Sequence, residues 1–169
     1  MSGSKGDLTH FDEAGRARMV DVSAKDETVR IAVARGEIHM RSETIARIQA
    51  GKIKKGDVLA VADVAAVMGA KRTPDMIPMC HTLLLSGVNI EFEERREPAT
   101  DGRSILDVQV RVKCTGSTGV EMEALTAVST ALLTVYDMCK AIDRDMTLTG
   151  IELLEKEGGK SGHYIRGKS

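Results

Sequence analysis

Apolar residues along the chain switch between a period of two and a period of three to four, and each switch marks an element boundary. From Thr28 to Met40, Val29, Ile31 and Val33 alternate, and the pattern resumes at Ile38 and Met40 after Gly36. Period two predicts a strand, and the glycine predicts a bulge or bend within it. Ser42-Glu43 then offers a cap for a short helix carrying Ile45 and Ile48, closed by Gly51. Asp57 offers a cap for a second helix, whose predicted inward stripe is Val58, Val61, Val64, Ala65 and Met68. A short helical or irregular piece follows from Lys71 to Pro78. Val88, Ile90 and Phe92 alternate, as do Leu106, Val108, Val110, Val112 and Cys114. Between them Pro98-Ala99-Thr100-Asp101-Gly102 has turn composition, so a long antiparallel hairpin is predicted. Met122, Leu125, Val128, Leu132, Val135, Cys139 and Ile142 define the longest helix, from Val120 to about Arg144. A last strand, Thr147 to Leu154, alternates less clearly. The glycine-rich, basic tail from Glu157 is expected to be mobile.

The order strand, helices, strand, strand, helix, strand predicts an α+β, ferredoxin-like fold, an antiparallel sheet with helices packed on one face. Residues 1–169 read as one domain, with 1–7 and 163–169 expected to be flexible.

Composition narrows the function classes. The chain is 42% apolar with a formal net charge of −1, so it lacks the basic surplus that non-specific nucleic-acid binding requires. Two Phe, two Tyr and no Trp leave little for a base-stacking platform. Three widely spaced cysteines, Cys80, Cys114 and Cys139, form no CxxC pair, against a disulfide framework or a structural zinc site. No apolar run approaches a membrane span, and MSGSKGDL is no signal peptide. A cytoplasmic setting and a small-molecule ligand are expected, with neither nucleic acid nor membrane as partner.

Several residues could carry chemistry. Gly159-Lys160-Ser161 resembles the end of a phosphate loop, but Leu154 stands where its first glycine is needed. Glu121 and Glu123 open the long helix; they would repel phosphate there but could accept hydrogen bonds from the donor edge of a guanine or pterin. Asp137 and Lys140, three apart, share a helix face among apolar neighbours. Partial burial would draw their pKa values toward neutrality, giving an acid and a base at one site. His81 is a lone histidine in an apolar stretch, and Cys80 beside it has no partners at ligand spacing. Lys52, Lys54, Lys55, Lys71 and Arg72 could hold several phosphate charges.

A family resemblance adds to this reading. Leu8-Thr9-His10, Met19-Val20-Asp21-Val22-Ser23, Met40-Arg41-Ser42-Glu43-Thr44, Lys55-Gly56-Asp57-Val58 and Ala70-Lys71-Arg72-Thr73 occur in order. Ile77-Pro78-Met79-Cys80-His81, Thr118-Gly119-Val120-Glu121-Met122-Glu123-Ala124-Leu125, Tyr136-Asp137-Met138-Cys139-Lys140-Ala141 and Gly158-Gly159-Lys160-Ser161-Gly162 follow. Together these resemble the cyclic pyranopterin monophosphate synthase family of molybdenum cofactor biosynthesis. The resemblance implies a ferredoxin-like fold, a homohexamer built as a trimer of dimers, and active sites at subunit interfaces. It implies 3′,8-cyclo-7,8-dihydroguanosine triphosphate as substrate, supplied by a radical enzyme, with lyase chemistry that builds a pterin and releases diphosphate. By motif, Asp137, Lys140, Lys55 and His81 are the implied catalytic set. Met79, Cys80, His81, Glu121, Met122 and Glu123 are implied in substrate binding, with Lys71, Arg41, Asp21 and Lys156 in the same pocket. No cofactor is implied, although magnesium could accompany the triphosphate. Thr82 stands where the family often has proline. Two rivals remain: a nucleotide- or pterin-binding module without turnover, and a purely structural assembly subunit.

Overall fold

The computed structural model describes residues 19, 21–22, 25–160 and 162–168. Strands β1 (Thr28–Met40), β2 (Leu85–Glu94), β3 (Ser104–Gly116), β4 (Thr147–Glu157) and β5 (Tyr164–Ile165) form one antiparallel sheet in the order β2-β3-β1-β4-β5. Helices α1 (Ser42–Gln49), α2 (Val58–Lys71), α3 (Thr73–Met76) and α4 (Glu121–Cys139) complete the chain. The core is the helix-facing side of the sheet. There Ala32, Ala34, Ile38 and Met40 of β1 join Val108, Val110 and Val112 of β3 against Ala127, Val128, Ala131, Leu132 and Val135 of α4. This is the ferredoxin-like α+β arrangement that the element order predicts.

Gly36 sits at a register shift between β1 and β4. A Cβ there would lie 2.7 Å from Val128 Cγ1 and 2.8 Å from Leu132 Cδ1. The glycine lets α4 lie directly on the central strand. Gly36→Ala is therefore expected to cost about 1–3 kcal/mol by overpacking, read as a lower denaturant midpoint with an unchanged slope.

The inward face of α2 differs from the predicted stripe. Val58, Ala62, Ala66, Gly69 and Ala70 are buried, whereas Val61, Val64 and Met68 are 45%, 59% and 52% exposed. Small residues win the inward face because α2 packs tightly on α4: a Cβ on Gly69 would lie 2.3 Å from Thr130 Oγ1. In a helix apolar nearly all round, periodicity cannot choose the face.

Three boundaries also move. Ser42 is the first residue of α1, not its cap; Arg41 holds the cap position without a side-chain bond. The carboxylate of buried Asp143 supplies the capping acceptor instead, taking Arg41 N–H at 2.8 Å and Thr44 Oγ1–H at 2.9 Å. The long helix ends at Cys139, five residues before Arg144, where Ile142 and Asp143 N–H turn back to the Cys139 carbonyl. Finally, β4 continues to Glu157 and the tail returns as β5, so Tyr164 and Ile165 are paired strand where mobility was expected. The flexibility expected for residues 1–7 lies outside the described residues.

Candidate active site

Two groups of polar side chains stand at opposite ends of α4. At its C-terminal end, Asp137 Oδ1 meets Lys140 Nζ at 2.6 Å, and Asp137 Oδ2 meets Lys55 Nζ at 2.8 Å. Lys55 Nζ also donates to the Asp137 carbonyl at 2.8 Å. The loop that delivers Lys55 turns at Gly56 (φ +106°), and Asp57 caps α2 through the Ala60 N–H at 3.0 Å. Lys140 follows the last helical residue, so its three-residue spacing from Asp137 survives the helix end.

The electrostatics differ from expectation. Asp137 is about half exposed, not partly buried. Hydrogen bonds from Lys140 first and Lys55 second, with their charges, hold its carboxyl at about 2. Asp137 in turn raises Lys140. With little desolvation, opposite charges push the two pKa values apart. At neutral pH the group is a carboxylate between two ammoniums. Arg41 reaches the same end, with its Nε 3.5 Å from Asp143 Oδ1 and its guanidinium donating to the Ile142 carbonyl.

At the N-terminal end, two adjoining cavities of about 550 and 350 Å³ share Lys25, Thr118, Gly119 and Glu121. Met79, Cys80, His81, Met122 and Glu123 line the smaller one, beside Val22, the neighbour of exposed Asp21. The larger carries Lys25, Arg30, Lys156 and Lys160. Lys156 Nζ donates to Glu121 Oε1 at 2.9 Å, tying β4 to the start of α4. Glu123 is buried; desolvation first and the Glu121 charge next raise its pKa. Burial also raises all three thiols, to about 11 at Cys139, so none is poised as a thiolate. Among the described residues, no group of three His, Cys, Asp or Glu could hold a metal ion.

Glu123 carries a testable consequence. A raised folded pKa means that folding takes up a proton. Stability therefore falls as pH rises through the ordinary glutamate range and levels off above the folded pKa. Glu123→Gln is expected to stabilise the chain by about 1 kcal/mol at pH 8 and by less at pH 5, measured by chemical denaturation at both pH values.

The implied site thus divides in one chain. Met79, Cys80, His81, Glu121, Met122, Glu123 and Lys156 converge at one end; Lys55, Asp137, Lys140 and Arg41 gather at the other. Sixteen residues of α4 separate Glu121 from Asp137, about 24 Å along the axis. Lys52, Lys54 and Lys55 precede α2 while Lys71 and Arg72 end it, so the expected cationic cluster is split by about 20 Å. Gly69, in the last turn of α2, packs on the Thr126–Thr130 part of α4, whereas Lys71 is exposed. Lys25 and Arg30 escaped the sequence reading, and Lys160 entered it only within its glycine motifs, without a site role. The available signal was Arg30, a charged residue at a helix-facing strand position. Its Nε and Nη2 donate to the Gly116 and Ser117 carbonyls at 3.1 and 3.2 Å.

Residues 19–159 match the MoaC family, and the chain belongs to that family. Among curated relatives, cyclic pyranopterin monophosphate synthase of Desulfitobacterium hafniense is 60% identical over 95% of this chain and 94% of its own. The proteins of that name from Heliobacterium modesticaldum and Brevibacillus brevis are each 58% identical, over 94% and 95% of this chain and 97% of theirs. Among the described residues, no helix is long and apolar enough to cross a membrane.

Proposed function

We propose that this chain converts 3′,8-cyclo-7,8-dihydroguanosine triphosphate to cyclic pyranopterin monophosphate and diphosphate, as a lyase in molybdenum cofactor biosynthesis. The observation that carries the reading is the pairing of two chemistries. One end of α4 holds an open Lys55–Asp137–Lys140 proton-transfer group, and the other holds an acidic, half-buried pocket rimmed by cations.

Each part suits the reaction. The purine must open and reclose as a pterin, which needs repeated proton transfers; Lys55 and Lys140 can serve, with Asp137 orienting and relaying. His81, beside Glu123 in the smaller cavity, is placed to serve the ring atoms. Glu121 and Glu123 offer oxygen atoms to the donor edge of a guanine or pterin. Lys25, Lys156 and Lys160 can neutralise the triphosphate and the departing diphosphate. No resident cofactor enters this scheme; magnesium would arrive only as the counter-ion of the substrate's triphosphate.

Because the two halves lie about 24 Å apart along one helix, the working site takes its halves from two copies of the chain. The exposed Val61, Val64 and Met68 of α2 supply apolar surface for assembly, in the homohexamer proposed here as a trimer of dimers. The enzyme would act in the cytoplasm after the radical enzyme that makes its substrate from GTP.

The test is incubation of the purified chain with the cyclic GTP intermediate, following diphosphate and pterin by chromatography. Stoichiometric formation of both is the expected result. Tight substrate binding with no product from well-folded protein would instead make this a pterin- or nucleotide-binding module.

A further inference from the structure

Lys156 reaches the site because of a bulge, and the C-terminal strap holds that bulge. Along the β1–β4 ladder Ala34 pairs with Leu153 and Val33 pairs with Glu155, leaving Leu154 as the extra residue. Directly paired residues point to the same face of a sheet. Lys156, opposite core residue Ala32, therefore lies on the helix side, where its Nζ meets Glu121. Without the bulge, simple alternation from Leu153 would send Lys156 to the other face.

The strap closes over this irregularity and little else. Of the eleven residues of β4, only Glu155 and Lys156 pair with β5. The Arg166 N–H donates to the bulged Leu154 carbonyl at 2.8 Å. The Arg166 guanidinium holds Glu152 Oε2 at 2.7 Å, and His163 Nε2 lies 2.6 Å from Glu155 Oε1. The Gly162 N–H closes the intervening loop on the Gly159 carbonyl at 3.1 Å. That loop carries Lys160, and its entry is tightly packed: a Cβ on Gly158 would lie 2.2 Å from the Val29 carbonyl, and one on Gly159 would strike the Arg30 guanidinium. Strap, bulge and loop thus form one clamp beside Lys156 and Lys160, two of the three lysines of the larger cavity.

We propose that Arg166 is a positioning residue for this site: its guanidinium, held on Glu152 and the Leu153 carbonyl, steadies the bulge at Leu154 and so presents Lys156 to the phosphate end of the substrate. The proposal rests on the phosphate role given to the larger cavity above. Arg166 touches no substrate; it acts through Lys156.

The test compares the full-length protein with Arg166→Ala, Arg166→Lys, Lys156→Ala, the Arg166→Ala/Lys156→Ala double variant and a chain ending at Gly162. Calorimetry with inorganic triphosphate is the first arm, and steady-state kinetics with the cyclic substrate is the second. Arg166→Ala is expected to weaken triphosphate binding about tenfold and to raise KM in parallel, with kcat within about twofold. Arg166→Lys should recover most of the loss, and the shortened chain, which also loses β5 and the main-chain bond to Leu154, should lose at least as much as Arg166→Ala. The double variant should bind no worse than Lys156→Ala alone, since one residue acts through the other. Wild-type-like triphosphate binding by Arg166→Ala, additive losses in the double variant, or absence of triphosphate binding by the wild type would each overturn the proposal. A wild type that binds triphosphate in an Arg166-dependent way without turnover would uphold the clamp and defeat the proposed reaction instead.

Discussion

On the proposed function, replacing Asp137 with asparagine is expected to lower turnover by about a thousandfold and to leave the fold intact. Its carboxylate stands between two ammoniums, at 2.6 and 2.8 Å. An amide of the same shape cannot compensate two positive charges, so Lys55 and Lys140 would repel and lose the geometry in which the proposed reaction uses them. The fold survives because all three side chains are about half exposed and surface ion pairs contribute little to stability. The sign of the pH effect is also defined. With its folded pKa depressed to about 2, Asp137 adds stability above the ordinary aspartate pKa and loses it as pH falls toward 2. It stays ionised throughout the neutral range, so any limb of the rate–pH profile there belongs to another group. Diphosphate release measured beside circular dichroism checks both parts. Near-normal turnover in the asparagine variant would remove Asp137 from the mechanism.

Mixing two inactive variants restores activity if the site is shared between copies. Lys55→Ala damages the half at the C-terminal end of α4, and His81→Ala damages the half at its N-terminal end. Neither homogeneous assembly has an intact site. In randomly mixed assemblies, a shared site receives its sound halves from the two different variants in about one case in four, and activity returns to about a quarter of wild type. Co-expression with two affinity tags isolates the mixed assemblies for the assay. Mixed assemblies that stay inactive would place both halves of the working site within a single chain, against the 24 Å separation argued above.

Much of the fold was legible because strands and helices bury one face at different periods. β1, the β2–β3 hairpin and α4 follow from alternation or a three-to-four repeat, with only the ends of α4 displaced. Where a segment is apolar on every side, that signal fails. α2 contains Val, Leu, Met and Ala all round, and only the tight contact of Ala62, Ala66 and Gly69 with α4 selects its inward face. The weak alternation of β4 has a cause of the same kind. Register shifts opposite Gly36 and at Leu154 reset its face twice within eleven residues.

The residue types and spacings of the sequence alone determined the α+β class, the Asp137–Lys140 pairing on one helix face, and the Asp57 cap that places Lys55 just ahead of α2. These are local matters, decided within a few residues by helix geometry and hydrogen-bond chemistry. Only the tertiary structure decided the long-range matters. It brought Lys55 to Asp137 across 82 positions of chain and left Asp137 exposed, so that its pKa falls where burial would have raised it. It turned Lys156 to the helix side through a bulge that no periodicity announces, and it set the two groups of implied site residues at opposite ends of α4. Burial, register and distance between remote segments depend on how the elements pack, and packing is a property of the whole chain.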